Sequence, residues 1–242
     1  MAALKVGIPL YEGFDSLDVT GPFQTFTFAE MECHLIGPGD TSGPLPVTSF
    51  EGIRILPDTT FESCPQLDVL FVPGGSNPVE VLTVGHPGSN PYLDFLIRQA
   101  EHAKLVCSVC TGALLLAGAG LLNGQVVTTH WAFKDVLRLF PVHVVNDYRR
   151  YVQSGHHVTG AGISSGLDES LYIVSLLYGV DVARRCQLAM QYNPHPPFHC
   201  GDPTDSDIQD DPSMVEDRKA QWHVADAAKQ VKQWLEAAKT KP

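Results

Sequence analysis

The run Leu105-Val106-Cys107-Ser108-Val109-Cys110-Thr111-Gly112-Ala113 joins a strand pattern to a helix pattern with no loop between them. Leu105–Val109 is apolar and of strand length, and Thr111–Leu122 reads as a helix. A side chain at so abrupt a junction is pushed out above the sheet, and the turn needs small neighbours. Ser108 and Gly112 stand two positions before and after Cys110, the spacing of a nucleophile elbow. The helix start beyond Cys110 offers free N–H groups and partial positive charge, both of which favour a thiolate. Two other readings stay open. Cys110 can be a buried structural cysteine, or Cys107 and Cys110 can form a C-x-x-C redox pair. In the redox motif the first Cys sits at the helix start, whereas here Cys107 lies within the strand.

Outward from this junction, strands and helices alternate. Leu4–Leu10, Glu32–Ile36, Leu67–Val72 and Gln125–Thr129 read as further strands, and Val47–Leu56 as a hairpin or edge strand. Leu17–Phe28, Pro91–Ala103, Ala132–Phe140, Ser164–Tyr178 and Val182–Gln191 read as helices. This pattern predicts a single α/β domain over residues 1–192, with a mainly parallel sheet sandwiched by helices. Residues 193–212 are rich in Pro and acid and read as a linker or arm. Residues 213–242 read as one C-terminal helix, with Ser213 and Glu216 spaced as a capping box. Its apolar face, from Val224 to Ala238, packs on its own domain or makes a subunit contact.

The chain has 242 residues, 44% of them hydrophobic and 18% charged, enough for one large core. Lys and Arg total 16 against 27 Asp and Glu, a formal net charge of -11. That balance carries no electrostatic footprint for nucleic acid or an anionic membrane. The longest apolar stretch, around Gly112 to Leu122, is far short of a membrane span. The N-terminus lacks the long apolar run of a signal peptide. Six dispersed cysteines suit reduced thiols, so a cytoplasmic protein is expected.

Other strand ends carry chemistry. Asp18, in Leu17-Asp18-Val19-Thr20-Gly21-Pro22, follows the first strand. Ligands of open α/β sheets bind at such ends. A desolvated carboxyl there has a raised pKa and can act as an acid. The competing role for Asp18 is a helix N-cap. Pro73-Gly74-Gly75 ends another strand, and its N–H groups can form an oxyanion hole with that of Thr111. His130, in Thr128-Thr129-His130-Trp131, is a base or a structural residue. Gly160-Ala161-Gly162-Ile163-Ser164-Ser165-Gly166 leads into a helix and lacks the Lys of a phosphate loop. No Cys or His spacing argues for a metal.

Taken in order, LDVTGP, VPGG, SVCTGALLL, TTHW and GAGISSGLDESL resemble the ThiJ/PfpI superfamily over about Leu4 to Leu188. That resemblance implies a class I glutamine amidotransferase-like, flavodoxin-like fold. Within the superfamily the motifs are most similar to the isonitrile (isocyanide) hydratase branch. This implies addition of water to an isocyanide, no cofactor and a homodimer. It carries the nucleophile onto Cys110, its acid partner onto Asp18, and a supporting hydroxyl and N–H onto Thr111. Gly75 then supplies a backbone N–H, with His130 and Ile163 in support. Thr111 stands where protease-like members have a His, which argues against peptidase activity. Two residues depart from the hydratase pattern: Cys107 is a thiol, and Glu169 takes a position usually apolar. A glyoxalase- or deglycase-like enzyme and a non-catalytic cysteine sensor remain alternatives. The acidic tail leaves no DNA-binding domain of the AraC type.

Overall fold

The computed structural model describes residues 3–76 and 78–239. The core is a seven-stranded sheet. Its strands are β1 (Lys5–Pro9), β2 (Glu32–Gly37), β3 (Thr59–Thr60), β4 (Val69–Val72), β5 (Leu105–Ser108), β6 (Tyr151–Ser154) and β7 (His157–Gly160). They lie in the order β6-β7-β5-β4-β1-β2-β3. Every pairing is parallel except β6 with β7, at one edge. β4 and β5 are buried at every position, as expected of central strands covered on both faces. After β1 the chain adds β2 on one side and later β4 on the other. The strand order therefore reverses between β1 and β4, and a crevice opens at their carboxyl ends.

The helices match the expected places with shifted ends, apart from Pro78–Thr83, which the sequence reading does not include. They are α1 (Ser16–Phe28), α2 (Pro78–Thr83), α3 (Pro91–Ala100), α4 (Gly112–Gly118), α5 (Lys134–Leu137), α6 (Ser165–Tyr178) and α7 (Val180–Ala189). A short 3-10 turn, Trp131–Phe133, precedes α5. Val47–Thr48 and Arg54–Ile55 form the expected hairpin. The strand read over Gln125–Thr129 shrinks to Val126–Val127, paired with His143–Val144 outside the main sheet.

The C-terminal reading needs correction. Residues 193–212 contain a short helix, α8 (Ser206–Asp210), with Ile208 buried. Residues 213–239 form two helices, α9 (Ser213–Gln221) and α10 (Val224–Lys239). His223 breaks them with a φ of 49°, a left-handed conformation that an α-helix cannot continue through. The capping box is not made: Ser213 is already helical, and its hydroxyl donates to Asp211 Oδ1 at 2.6 Å. α10 packs on its own domain. Val231 is fully buried, and Trp234 Nε1 donates to the Gly85 carbonyl at 3.2 Å.

Candidate active site

β5 ends at Ser108 and α4 begins at Gly112, so Cys110 sits on the turn between them. Its φ is 55°, strained for a residue with a side chain and characteristic of a nucleophile elbow. Two neighbours hold this backbone in place. The Cys110 N–H donates to the Ala161 carbonyl at 2.7 Å. Thr129 Oγ1 donates to the Cys110 carbonyl at 2.6 Å. The glycine-rich turn after β7 and the TTHW segment thus clamp the elbow from either side. Gly112 is required by crowding, since a Cβ there would lie 2.3 Å from the Val72 carbonyl oxygen.

Asp18 arrives from the first turn of α1 and is fully buried. It is not the helix cap. That role belongs to Asp15, whose carboxylate accepts the Leu17 N–H at 3.0 Å. Asp18 Oδ2 instead accepts the Gly74 N–H at 2.8 Å. Gly74 is the hub of the site. A Cβ on it would lie 2.8 Å from both Asp18 Oδ2 and Cys110 Cβ, and 2.6 Å from the Thr111 nitrogen. Only a glycine lets the acid, the thiol and the helix start converge on one point.

Thr111 is tied to the same loop. Its hydroxyl donates to the Gly75 carbonyl and accepts the Gly75 N–H, each at 3.0 Å. The expected oxyanion role of Gly75 is corrected by this pairing. Gly75 lines the cavity, but its N–H is committed to Thr111.

Burial pushes the Asp18 carboxyl well above the usual carboxylate range, and the Asp15 charge adds to it. The Gly74 N–H and the Cys110 thiol pull the other way. The Cys110 thiol is also raised, first by burial and then by Asp18, against a lowering contribution from Thr111. Burial of both groups works against the thiolate that the start of α4 favours. His130 is buried, and its Nδ1 accepts the Ala132 N–H at 3.3 Å. Burial lowers its pKa to about 4, so it is neutral at physiological pH.

Cys110, Thr111, Gly75, His130 and Ile163 all border one cavity of about 330 Å³. Phe50, Phe133 and Trp222 line it as well, none of them expected from the sequence. Asp15 also borders it, and an Asp-Ser pair just before α1 was the available signal for that cap. A second cavity of about 460 Å³ lies behind His130 and Ile163, bordered by Lys134, Arg150 and Asp205. Cys107 is buried within β5. Among the described residues, no three His, Cys, Asp or Glu side chains converge as a metal would require, and no helix is long and apolar enough to cross a membrane.

Comparison with known proteins agrees with this geometry. The chain is 41% identical over 202 residues to an isonitrile hydratase of Pseudomonas putida, covering 83% of this chain and 84% of that one. A solved THiJ/PfpI family protein from Pseudomonas syringae superposes with a TM-score of 0.82 at 31% identity, over 97% of this chain and 91% of that one. Drosophila melanogaster DJ-1beta shares the fold, with a TM-score of 0.70 at 20% identity, over 80% of this chain and all of that one. The DJ-1/PfpI family profile matches residues 4–175, the span that carries the elbow, the buried acid and the glycine hub. The chain belongs to the DJ-1/PfpI family.

Proposed function

We propose that the protein hydrates an isocyanide, R–N≡C, to the N-substituted formamide, with Cys110 as nucleophile and Asp18 as acid and base. The observation that carries this reading is the convergence of the buried Asp18 carboxyl and the Cys110 thiol on Gly74; the upward shift of both groups is consistent with it. The 41% identity to the P. putida isonitrile hydratase supports the same chemistry.

The terminal carbon of an isocyanide must gain a proton and a nucleophile together. Asp18 gives its proton to that carbon while the Cys110 sulfur bonds to it. The thiol proton passes to the Asp18 carboxylate, which restores the acid. The product is a thioimidate, R–N=CH–S–Cys110. Asp18 then assists water onto the same carbon, and a proton reaches nitrogen. Collapse of the tetrahedral species re-forms C=O, breaks the C–S bond and returns the thiol. The sum is one isocyanide plus one water giving one formamide, with no net redox change and no cofactor required. In this reading the Thr111 N–H at the start of α4, which already works to lower the Cys110 pKa, stabilises negative charge on the sulfur as it leaves. Neutral His130 serves as cavity wall rather than proton donor.

The test is to incubate the protein separately with cyclohexyl isocyanide and with methylglyoxal. Formamide from the first and no lactate from the second is expected. Lactate without formamide would transfer the site to the glyoxalase-like reading, and neither product would favour the sensor.

A further inference from the structure

The cavity over Cys110 is completed by a residue outside the family-matched span. Residues 4–175 carry the chemistry, whereas Trp222 reaches the cavity from the bend between α9 and α10. The left-handed His223 produces that bend. The Trp222 ring stands nearly perpendicular to His130, with centroids 5.0 Å apart, and 6.0 Å from Trp131. On the far side of the bend α10 is anchored by buried Val231, by the Trp234 hydrogen bond to Gly85, and by the Trp234 ring 4.5 Å from His86. Trp222 is thus held on both sides of the bend. The indole and the Cys110 thiol border the same cavity.

We propose that Trp222 is a specificity-determining wall that restricts access to Cys110 to compact, uncharged, apolar substituents of about one ring. The isocyanide class of substrate rests on the hydratase reading above; the size selection itself does not. Phe50, Phe133, Ile163 and His130 share the cavity with Trp222 and give it an apolar wall, while Asp15, Ser76, Gln221 and His223 border it with polar groups. About 330 Å³ is at the small end of ligand pockets. A pocket wall of this kind discriminates by steric exclusion, and each methylene is worth roughly 10- to 200-fold.

Two measurements on the parent, Trp222→Ala and Trp222→Phe test the wall. The first is kcat/KM for isopropyl, cyclohexyl and 2-naphthyl isocyanide. The naphthyl-to-isopropyl ratio should rise about tenfold or more in Trp222→Ala and less in Trp222→Phe. The second does not involve hydration. N-ethylmaleimide and N-(1-pyrenyl)maleimide are reacted at pH 9, and labelling of Cys110 is followed by peptide mass spectrometry. The bulky-to-small rate ratio should rise in the same order. Ratios equal to the parent's in both variants, with unchanged circular dichroism, would overturn the proposal. If Trp222→Ala fails to fold, the Trp222→Phe ratios decide in the same way. If no isocyanide is turned over but the maleimide ratio shifts, the wall stands and the hydratase reading falls.

Discussion

Asp18 Oδ2 accepts the Gly74 N–H at 2.8 Å, while Asp18 Oδ1 has no hydrogen-bond partner. One oxygen of the acid is therefore anchored by the loop after β4, and the other is free to exchange a proton. Asp18→Asn keeps the shape and removes the proton. Formamide production should fall by roughly two to four decades, with the circular dichroism spectrum unchanged. A rate near the parent's would show that Asp18 is not the acid.

Asp18 and Glu169 make stability depend on pH in a defined direction. Both are fully buried with pKa values well above the carboxylate range, and both Glu169 oxygens lack partners. The folded acids hold protons that the unfolded chain releases. Their protonated forms therefore cost least below the unfolded pKa of about 4, and stability is lost as pH rises towards the folded values. Glu169→Leu should raise the melting temperature at pH 8, by about 1–3 kcal/mol of stability, and raise it less at pH 5. Scanning calorimetry at the two pH values checks this. A gain larger at pH 5 than at pH 8 would reverse the assignment.

Gly74→Ala tests the hub. The added methyl would sit inside contact distance of the Thr111 nitrogen, Asp18 Oδ2 and Cys110 Cβ. Backbone atoms cannot yield cheaply, so the acid and thiol must separate. A displacement of about 1 Å costs on the order of a hundredfold in turnover. Steady-state assays of the purified variant should show the loss mainly in kcat.

The cysteines should label in an order set by burial. Cys110 is raised by burial and by Asp18, whereas Cys200 is exposed. Iodoacetamide at pH 7 should therefore modify Cys200 first, and Cys110 labelling should accelerate steeply above pH 9. Asp18→Asn leaves no carboxylate to oppose the thiolate once both groups ionise, and should speed Cys110 labelling at high pH. Peptide mapping over a time course distinguishes the sites.

Truncation after Asp211 separates two roles of the tail. α10 buries Val231 against its own domain. Light scattering should report the same number of chains per particle with and without residues 212–242. A melting temperature lowered by the loss of α10, at unchanged assembly, is the expected pair of results. A fall in assembly would make the tail a subunit contact.

The sequence alone determined the order of the main elements and the place of the candidate nucleophile, Cys110. The strand pattern ending at Ser108, the small flanking residues and the helix pattern from Gly112 are local features, and local features can be read along the chain. Asp18 was visible as an acid beyond a strand end, yet its role was undecided between cap and catalyst. Only the fold removed the cap role, because Asp15 took the cap and Gly74, fifty-six positions away, supplied the N–H to Asp18. The electrostatics of Cys110 were hidden for a related reason. The helix start is a local effect, whereas the burial that raises the thiol comes from distant segments around the turn, among them Gly74, Thr129 and Ala161. Trp222 was hidden because residues 213–242 carry one continuous helical pattern. The bend at His223 is a left-handed backbone conformation that no periodicity announces, and the indole meets His130 only once α9 packs on the Trp131–Phe133 turn. Local spacing encodes elements and turns, whereas desolvation and long-range convergence exist only once the chain is packed.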